Sequence, residues 1–154
     1  FATCFLDRWG GRIHDYFAVD PYTPYPEMPW SREADLQQAV QRLLRYSQVR
    51  FVRLPGCEFA AAYAHEPVIR LGGGHLLDLL YLDAAHDGAS VRADLAACYQ
   101  VVKPGGWLCG HDYDEGVHPE VCAAARDFAV THGLELFATR ETTEPPSFAM
   151  QKPY

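Results

Sequence analysis

Ionisable side chains follow directly after three apolar runs of the sequence. Asp20, Asp83 and the pair His111-Asp112 each stand at the carboxyl end of a predicted strand. In parallel α/β sheets, ligands bind in the crevice outside the carboxyl ends of the strands, so these positions predict one site. Asp83 and Asp112 would end neighbouring strands. Their carboxylates suit Mg²⁺, a hard cation that takes few protein carboxylates and keeps several waters.

Two histidines belong to the same group. His86 lies shortly after Asp83, at the start of a predicted helix, and an imidazole with an unperturbed pKa of ~6.5 is suited to removing a proton near neutral pH. The alternative is a helix-capping histidine that bonds a backbone carbonyl. If His111 is a ligand, it favours Mn²⁺, Fe²⁺ or Zn²⁺ over Mg²⁺. Otherwise it points away and holds a loop by hydrogen bonds.

Strands and helices must alternate to bring these residues together, and the apolar periodicity predicts that they do. The predicted helices are residues 1–9, 34–44, 56–64, 90–102 and 119–132, and the predicted strands are residues 15–19, 49–54, 76–82, 107–110, 135–139 and 147–151. Ser31 is the predicted N-cap of the second helix. The near-continuous hydrophobicity of residues 76–82 predicts burial on both faces of that strand. The predicted fold class is α/β with a mostly parallel sheet.

Three segments between these elements are predicted to be loops or turns. Residues 21–30 carry four prolines, which argue against a helix or a central strand. The aromatic residues of this segment form either a lid over a ligand or packing on the domain itself. Residues 65–75 contain three adjacent glycines, but no Lys-Ser/Thr follows, so a flexible turn is favoured over a phosphate-binding loop. Residues 103–106, Lys-Pro-Gly-Gly, are predicted to be a turn.

Composition narrows the classes of partner. The chain has 154 residues, of which 49% are apolar and 21% charged, with a net charge of −7 and no cluster of Lys or Arg. Nucleic acid and anionic membranes are therefore poor partners, and the apolar runs are too short for a membrane span. The five cysteines are scattered and form no CxxC pair, so a reducing intracellular compartment, the cytoplasm or an organelle matrix, is expected.

Two motifs resemble class I S-adenosylmethionine-dependent methyltransferases. Residues 83–95, DAAHDGASVRADL, and residues 102–113, VKPGGWLCGHDY, are similar to a pattern in the branch that includes macrolide-sugar O-methyltransferases and cephalosporin hydroxylase-like proteins. Residues 16–22, YFAVDPY, resemble the second strand of that family and its acidic end. The resemblance covers nearly the whole chain. It implies a Rossmann-like three-layer sandwich whose mostly parallel sheet closes with an antiparallel strand.

The resemblance also implies a cofactor and a place for it. S-adenosylmethionine would bind with its ribose hydroxyls on Asp20, because a carboxylate accepts two such hydrogen bonds. The alternative is a turn aspartate before Pro21. Cys57 and Glu58 would begin the helix near the adenine ring.

The chemistry at the acceptor follows from the same resemblance. His86 would take the proton from the substrate hydroxyl. Asp83, Asp112 and His111 would hold a divalent metal, Mg²⁺ or Mn²⁺, that makes this hydroxyl more acidic. In some sugar methyltransferases a carboxylate stands at the position of His111.

Other ionisable residues are assigned no chemistry. Asp94 is expected to be structural, as a salt-bridge partner of Arg92 or Lys103. The remaining histidines, His118 among them, are interpreted as isolated surface residues.

The sequence also departs from the family pattern. Ala85 stands where the family has an aspartate, and Gly88 stands where it has a tyrosine. The first strand and the glycine-rich loop of the family are absent from this sequence, which begins with what resembles the helix after that loop. We therefore expect residues before Phe1 in the parent protein to supply them, so that residues 1–154 form a single, N-terminally incomplete methyltransferase-like domain. The alternative is that another chain fills the gap.

Two functions of different classes follow. The first is an S-adenosylmethionine-dependent O-methyltransferase acting with a divalent metal on a small hydroxylated acceptor such as a sugar or a polyketide-like compound. The second is a catalytically inactive protein of methyltransferase fold that serves as a structural or binding subunit of a larger assembly. A hydroxylase-like relative is a third option. The sequence leaves open whether the chain forms a homo-oligomer or joins a larger complex.

Overall fold

The computed structural model describes residues 2–65, 76–140 and 145–154. Its helices are α1 Ala2–Trp9, α2 Glu33–Leu43, α3 Gly56–His65, α4 Gly88–Val101 and α5 Pro119–His132, and its strands are β1 Tyr16–Val19, β2 Val49–Val52, β3 Leu77–Leu82, β4 Val102–Gly110, β5 Leu136–Ala138 and β6 Phe148–Gln151. The chain divides into two compact units, residues 1–55 and 56–154. The alternation of helices and strands confirms the predicted α/β class.

The first unit contains a pair of parallel strands. β1 pairs with β2 in the register Tyr16 to Val49, and the Asp20 N–H continues this pairing to the Val52 carbonyl at 3.1 Å. The predicted N-cap of α2 is wrong by one residue. The helix begins at Glu33 with Arg32 in the cap position, while the Ser31 hydroxyl accepts the Glu33 N–H at 3.5 Å.

The second unit contains a four-stranded sheet in the order β3-β4-β6-β5. β3 and β4 are parallel, and β6 is antiparallel to both β4 and β5. One strand therefore runs against the other three, which confirms the mostly parallel sheet with an antiparallel strand. The core of this unit consists of side chains that are almost wholly buried, among them Leu95, Cys98, Val101, Val102, Leu108, Cys122 and Met150.

The Lys-Pro-Gly-Gly segment lies inside β4 rather than in a turn before it. Val102 pairs with Leu77 and Trp107 pairs with Leu79, so the segment forms a bulge opposite a much shorter stretch of β3. Gly105 has a φ of 75°, a backbone conformation that glycine adopts readily. Its N–H donates to the Lys152 carbonyl at 2.8 Å. This hydrogen bond, made far along the chain, holds the segment in the sheet.

The predicted burial of β3 on both faces is wrong. Leu80 is its one buried side chain, Leu79 is 40% exposed and Asp78 is exposed, where it pairs with Lys103. The physical reason is that β3 is an edge strand of the four-stranded sheet. An apolar run shows that a strand belongs to a sheet, but it does not show the place of the strand in the sheet order.

The two remaining loop predictions have different outcomes. Residues 21–30 form a loop, as predicted, in which Tyr25 and Met28 make an isolated antiparallel β-bridge. Most of the glycine-containing segment 65–75 lies outside the described residues. Among the described helices, none has the length and hydropathy that crossing a membrane would require.

The cysteines of the described chain are all free thiols. Burial raises the pKa of Cys98 to about 12 and that of Cys109 to about 11. Since the thiolate is the reactive form, these two side chains act as small apolar core residues.

Candidate active site at the ends of two parallel strands

The parallel pairing of β3 and β4 brings the residues that follow them together. The His111 N–H donates to the Leu82 carbonyl at 2.9 Å, which extends the pairing one step past β4. Asp83 therefore lies beside His111, whose Nδ1 atom is 4.0 Å from the Asp83 carboxylate and 3.1 Å from the Asp112 carboxylate. The structure thus brings these three predicted residues together, and their role as metal ligands stays a prediction. His111 points toward the two carboxylates and not away from them.

Asp112 is the centre of a cluster that it forms with Asp83, His86 and His111. Its Oδ2 atom lies 2.9 Å from His86 Nε2, and its Oδ1 atom is the one that faces His111. Its φ of 58° lies in the left-handed region, which costs a residue other than glycine about 1–3 kcal/mol and is concentrated at functional sites. A backbone hydrogen bond next to Asp112 stabilises this conformation, since the Tyr113 N–H donates to the Pro146 carbonyl at 2.8 Å.

The charge state of Asp112 follows from its neighbours. Burial alone raises the pKa of Asp112. The hydrogen bond with His86 and the electrostatic effect of His111 act in the opposite direction and hold the pKa below its ordinary value. Asp112 is therefore an anion at neutral pH, and its side chain is only 13% exposed.

The start of α4 is capped by residues other than His86, whose side chain is directed to the Asp112 carboxylate. Asp87 is the N-cap, and its carboxylate accepts the Ser90 N–H at 2.9 Å. The Gly88 N–H donates to the Glu120 carboxylate at 2.5 Å. These two acids satisfy N–H groups that the first turn of a helix leaves without intrahelical partners. The helix-capping interpretation of His86 is thus the weaker one, since Asp87 makes the cap and His86 directs Nε2 to Asp112.

A small cavity lies among these side chains. It has a volume of about 20 Å³, and its polar lining consists of Asp83, His86, Asp94, His111 and Asp112. A water molecule needs roughly 10–15 Å³ measured in this way. The cavity therefore has room for one water or one ion, and its polar walls are carboxylates and imidazoles.

His118 belongs to the cluster, and its interpretation as an isolated surface residue is wrong. It occupies the N-cap position of α5. Its ring stacks on that of His86 with the centroids 4.1 Å apart, and its Nε2 atom lies 3.8 Å from Asp112 Oδ1. The signal in the sequence was its position directly before Pro119, because proline is frequent at the first position of a helix. That position places His118 at the start of the helix that follows β4.

Asp20 lies in the first unit with its carboxylate already bound. Arg32 donates to both of its oxygens, each at 3.0 Å, and the Tyr22 N–H donates to one of them at 2.6 Å. The guanidinium also lies 5.6 Å from the ring centres of Tyr22 and Tyr25. This arrangement agrees with the turn-aspartate alternative. The ribose role of Asp20 stays a prediction.

Asp94 holds the start of α3, where the adenine contacts were predicted. Its carboxylate accepts the Cys57 N–H, and burial raises the pKa of Asp94 although that hydrogen bond acts in the opposite direction. The predicted structural role agrees with this contact, but the predicted partners are wrong. Arg92 pairs with Asp127 at 3.6 Å, and Lys103 pairs with Asp78.

The predicted adenine contacts at α3 remain untested. Cys57 is half-buried at the first turn of this helix, and Glu58 is exposed. A Cβ atom added at Gly56 would lie 3.0 Å from Asp94 Oδ1. Close packing of α3 against α4 therefore explains the first turn without a ligand, and the roles of Cys57 and Glu58 stay predictions.

Comparison with known proteins decides the family. The sequence profile of a family described as a methyltransferase domain matches residues 2–113. The chain belongs to this methyltransferase domain family. The match spans every residue of the cluster except His118, and it includes both motifs from which the resemblance was inferred. A search of curated protein sequences found no significant match.

Solved structures of methyltransferases share the fold. The N-methyltransferase NodS from Bradyrhizobium japonicum WM9, in complex with S-adenosyl-L-homocysteine, aligns over 99% of this chain and 74% of its own, with a TM-score of 0.61 and 12% identity. The O-methyltransferase NovP aligns over 99% and 66%, with a TM-score of 0.66 and 17% identity. CalS11, a TDP-rhamnose 3'-O-methyltransferase of calicheamicin biosynthesis, aligns over 95% and 65%, with a TM-score of 0.62 and 15% identity.

These comparisons confirm the predicted class I methyltransferase superfamily and its Rossmann-like fold. The chain spans about two thirds of the length of the two O-methyltransferases. At these identities the likeness shows the fold. What the methyltransferase domain binds and modifies therefore depends on the residues of its own site.

Proposed function

We propose that this methyltransferase domain transfers a methyl group from S-adenosylmethionine to a hydroxyl of a small acceptor, with a divalent cation held by Asp83, His111 and Asp112. One observation carries the proposal. The Asp112 carboxylate bonds His86 Nε2 at 2.9 Å through one oxygen and faces His111 at 3.1 Å through the other. A base and a ligand set thus meet at one cavity.

The donor set fits such a cation. Two carboxylates and one imidazole offer ligand atoms that all lie within 4.8 Å of one another. Oxygen ligands suit Mg²⁺ and Mn²⁺, and the imidazole shifts the preference toward Mn²⁺. When bound, the cation would lower the pKa of the acceptor hydroxyl.

The role of His86 follows from its hydrogen bond. Since the Asp112 carboxylate is an acceptor, the His86 Nε2 atom carries the proton of the neutral imidazole, and Nδ1 carries its lone pair. The acceptor hydroxyl gives its proton to His86 Nδ1. S-adenosylmethionine, when bound, would supply the methyl group from its sulfonium to the acceptor oxygen and would leave as S-adenosylhomocysteine. Asp112 stabilises the imidazolium that forms.

A specific observation favours the second candidate function, an inactive protein that serves as a subunit. Arg32 binds both oxygens of Asp20, the residue predicted to bind ribose. Ala85 adds a methyl group to the cavity wall where the related branch has a carboxylate. Both features would weaken a methyltransferase site.

Calorimetric titration with S-adenosylhomocysteine in the presence of Mg²⁺ or Mn²⁺ tests the proposal. Binding at a Kd near 1 μM, about −8 kcal/mol, is expected. A panel of hydroxylated acceptors then tests methyl transfer, beginning with TDP-rhamnose, the acceptor named for CalS11. Absence of binding under every metal condition would contradict the proposal and favour the subunit.

Arg32→Ala is expected to tighten the binding of S-adenosylhomocysteine by about fivefold. In our proposal the ribose hydroxyls compete with the guanidinium for Asp20, and a partly exposed ion pair contributes roughly 1 kcal/mol. Arg45→Ala is the matched control, because Arg45 pairs with Asp7 in the same unit and is exposed. Weaker binding by Arg32→Ala than by the control would show that Arg32 supports the cofactor site and does not compete with it.

A further inference from the structure

A second group of metal-ligating side chains shares Asp112 with the first. It consists of His86, Asp112 and His118, whose ligand atoms lie within 4.8 Å of one another. His86 Nε2 is 2.9 Å from one oxygen of the carboxylate, and His118 Nε2 is 3.8 Å from the other. The two imidazoles therefore approach the two oxygens of a single carboxylate.

The two groups differ in chemistry. The first offers two carboxylates and one imidazole, and the second offers two imidazoles and one carboxylate. Zn²⁺ is commonly bound in proteins by two histidines and one carboxylate, with a water in the fourth position. Nitrogen ligands raise the affinity for Zn²⁺, Co²⁺ and Ni²⁺ over that for Mg²⁺. We propose that His86, Asp112 and His118 form a binding site for Zn²⁺, which shares Asp112 with the magnesium or manganese set, and that Zn²⁺ bound there inhibits methyl transfer.

The geometry needs only a small contraction to close around an ion. Ligand atoms roughly 2.0–2.2 Å from a tetrahedral zinc ion lie about 3.3 Å from one another, and the three ligand atoms here all lie within 4.8 Å of one another. The stacked rings of His86 and His118 are nearly parallel, with an angle of 27° between their planes. Their side chains are 29% and 22% exposed, so an ion from solvent can reach them. A movement of His118 of about 1–1.5 Å would bring all three ligands into range.

Inhibition by Zn²⁺ follows from the tautomer of His86, and this inhibitory role rests on the proposed function. A zinc ion on Nε2 displaces the proton that His86 donates to Asp112. The neutral imidazole then carries its only proton on Nδ1. That atom can no longer accept the proton of an acceptor hydroxyl. Zn²⁺ would therefore block the base.

Metal titration of the metal-free protein tests the site without cofactor or acceptor. Co²⁺ serves as a spectroscopic probe, because nitrogen ligation changes its visible absorption, and Zn²⁺ is then added to displace it. We expect one equivalent to bind. His118→Ala should weaken Zn²⁺ binding by about 10-fold or more, and Asp83→Ala should leave it within about twofold. His132→Ala is the matched control, since His132 lies at the other end of α5. Circular dichroism shows whether each variant is folded.

The outcomes separate the two proposals. Zn²⁺ binding that His118→Ala leaves equal to that of His132→Ala, or that Asp83→Ala abolishes, would overturn the second site. If Zn²⁺ binds in a His118-dependent way and S-adenosylhomocysteine does not bind, the zinc site stands and the proposed function fails. If transfer occurs, the zinc concentration that halves the rate should rise about 10-fold in His118→Ala. A rate that saturating Zn²⁺ leaves unchanged would overturn the inhibitory role.

Discussion

Asp112→Asn is expected to lower kcat for methyl transfer by about 10³–10⁴-fold, the size of effect seen when the carboxylate that orients a catalytic histidine becomes an amide. The amide nitrogen can donate to His86 Nε2, which favours the tautomer with its proton on Nδ1 and removes the base. The substitution also removes one anionic ligand from the predicted metal set. Steady-state release of S-adenosylhomocysteine, with the first acceptor of the panel that supports turnover, measures the effect.

Asparagine is the informative replacement because it keeps the backbone. Asp112 has a φ of 58°, and asparagine tolerates the left-handed region about as well as aspartate. The variant should therefore fold with a thermal midpoint close to that of the original chain. Asp114→Asn is the matched control, since the Asp114 carboxylate accepts the Gly116 N–H at 2.7 Å in an exposed hydrogen bond. A loss of less than about 10-fold in Asp112→Asn would argue that His86 is not the base.

The sequence predicts the strand ends well because the rule behind them is local. Each apolar run ends at an ionisable residue, and parallel strands align their carboxyl ends at one edge. Asp83, His111 and Asp112 meet in the structure for this reason alone. The hydrogen bond from the His111 N–H to the Leu82 carbonyl is the next step of an ordinary parallel ladder.

His118 could not be placed by the same rule. Its position depends on the loop between Asp112 and α5, and this loop is set by two features that the pattern does not encode. One is the left-handed backbone of Asp112. The other is the turn at Asp114, whose carbonyl accepts the His118 N–H at 2.7 Å. Together they fold the chain back so that His118 stacks on His86.

Pairings between residues distant in sequence account for other contacts that the local patterns do not show. Asp20 is bound by Arg32 from the start of the following helix, and Asp94 is bound by the Cys57 N–H from another helix. The Lys-Pro-Gly-Gly segment has the residues of a turn, but its hydrogen bond to Lys152 keeps it in β4. In each case the local sequence indicates a conformation or role for the residue, and a partner distant in sequence determines the contacts that it makes.

His86→Gln is expected to lower kcat by about 10²–10⁴-fold, the contribution typical of a general base. Glutamine can still donate a hydrogen bond to the Asp112 carboxylate through its amide, so the ligand set keeps its arrangement. It cannot accept the proton of a hydroxyl, because an amide nitrogen has no basic lone pair at neutral pH. The chemical step is then lost while the structure around it is retained.

The affinity for S-adenosylhomocysteine separates this loss of chemistry from a loss of structure. In our proposal His86 acts on the acceptor hydroxyl, so His86→Gln should bind S-adenosylhomocysteine within about twofold of the original chain, equivalent to about 0.4 kcal/mol. His118→Gln is the matched control, because it alters the ring stacked on His86 and leaves the base in place. Loss of binding together with turnover in His86→Gln would show that His86 supports the fold of the site. Loss of turnover alone assigns the proton transfer to His86, since the binding of S-adenosylhomocysteine requires no deprotonation of an acceptor hydroxyl.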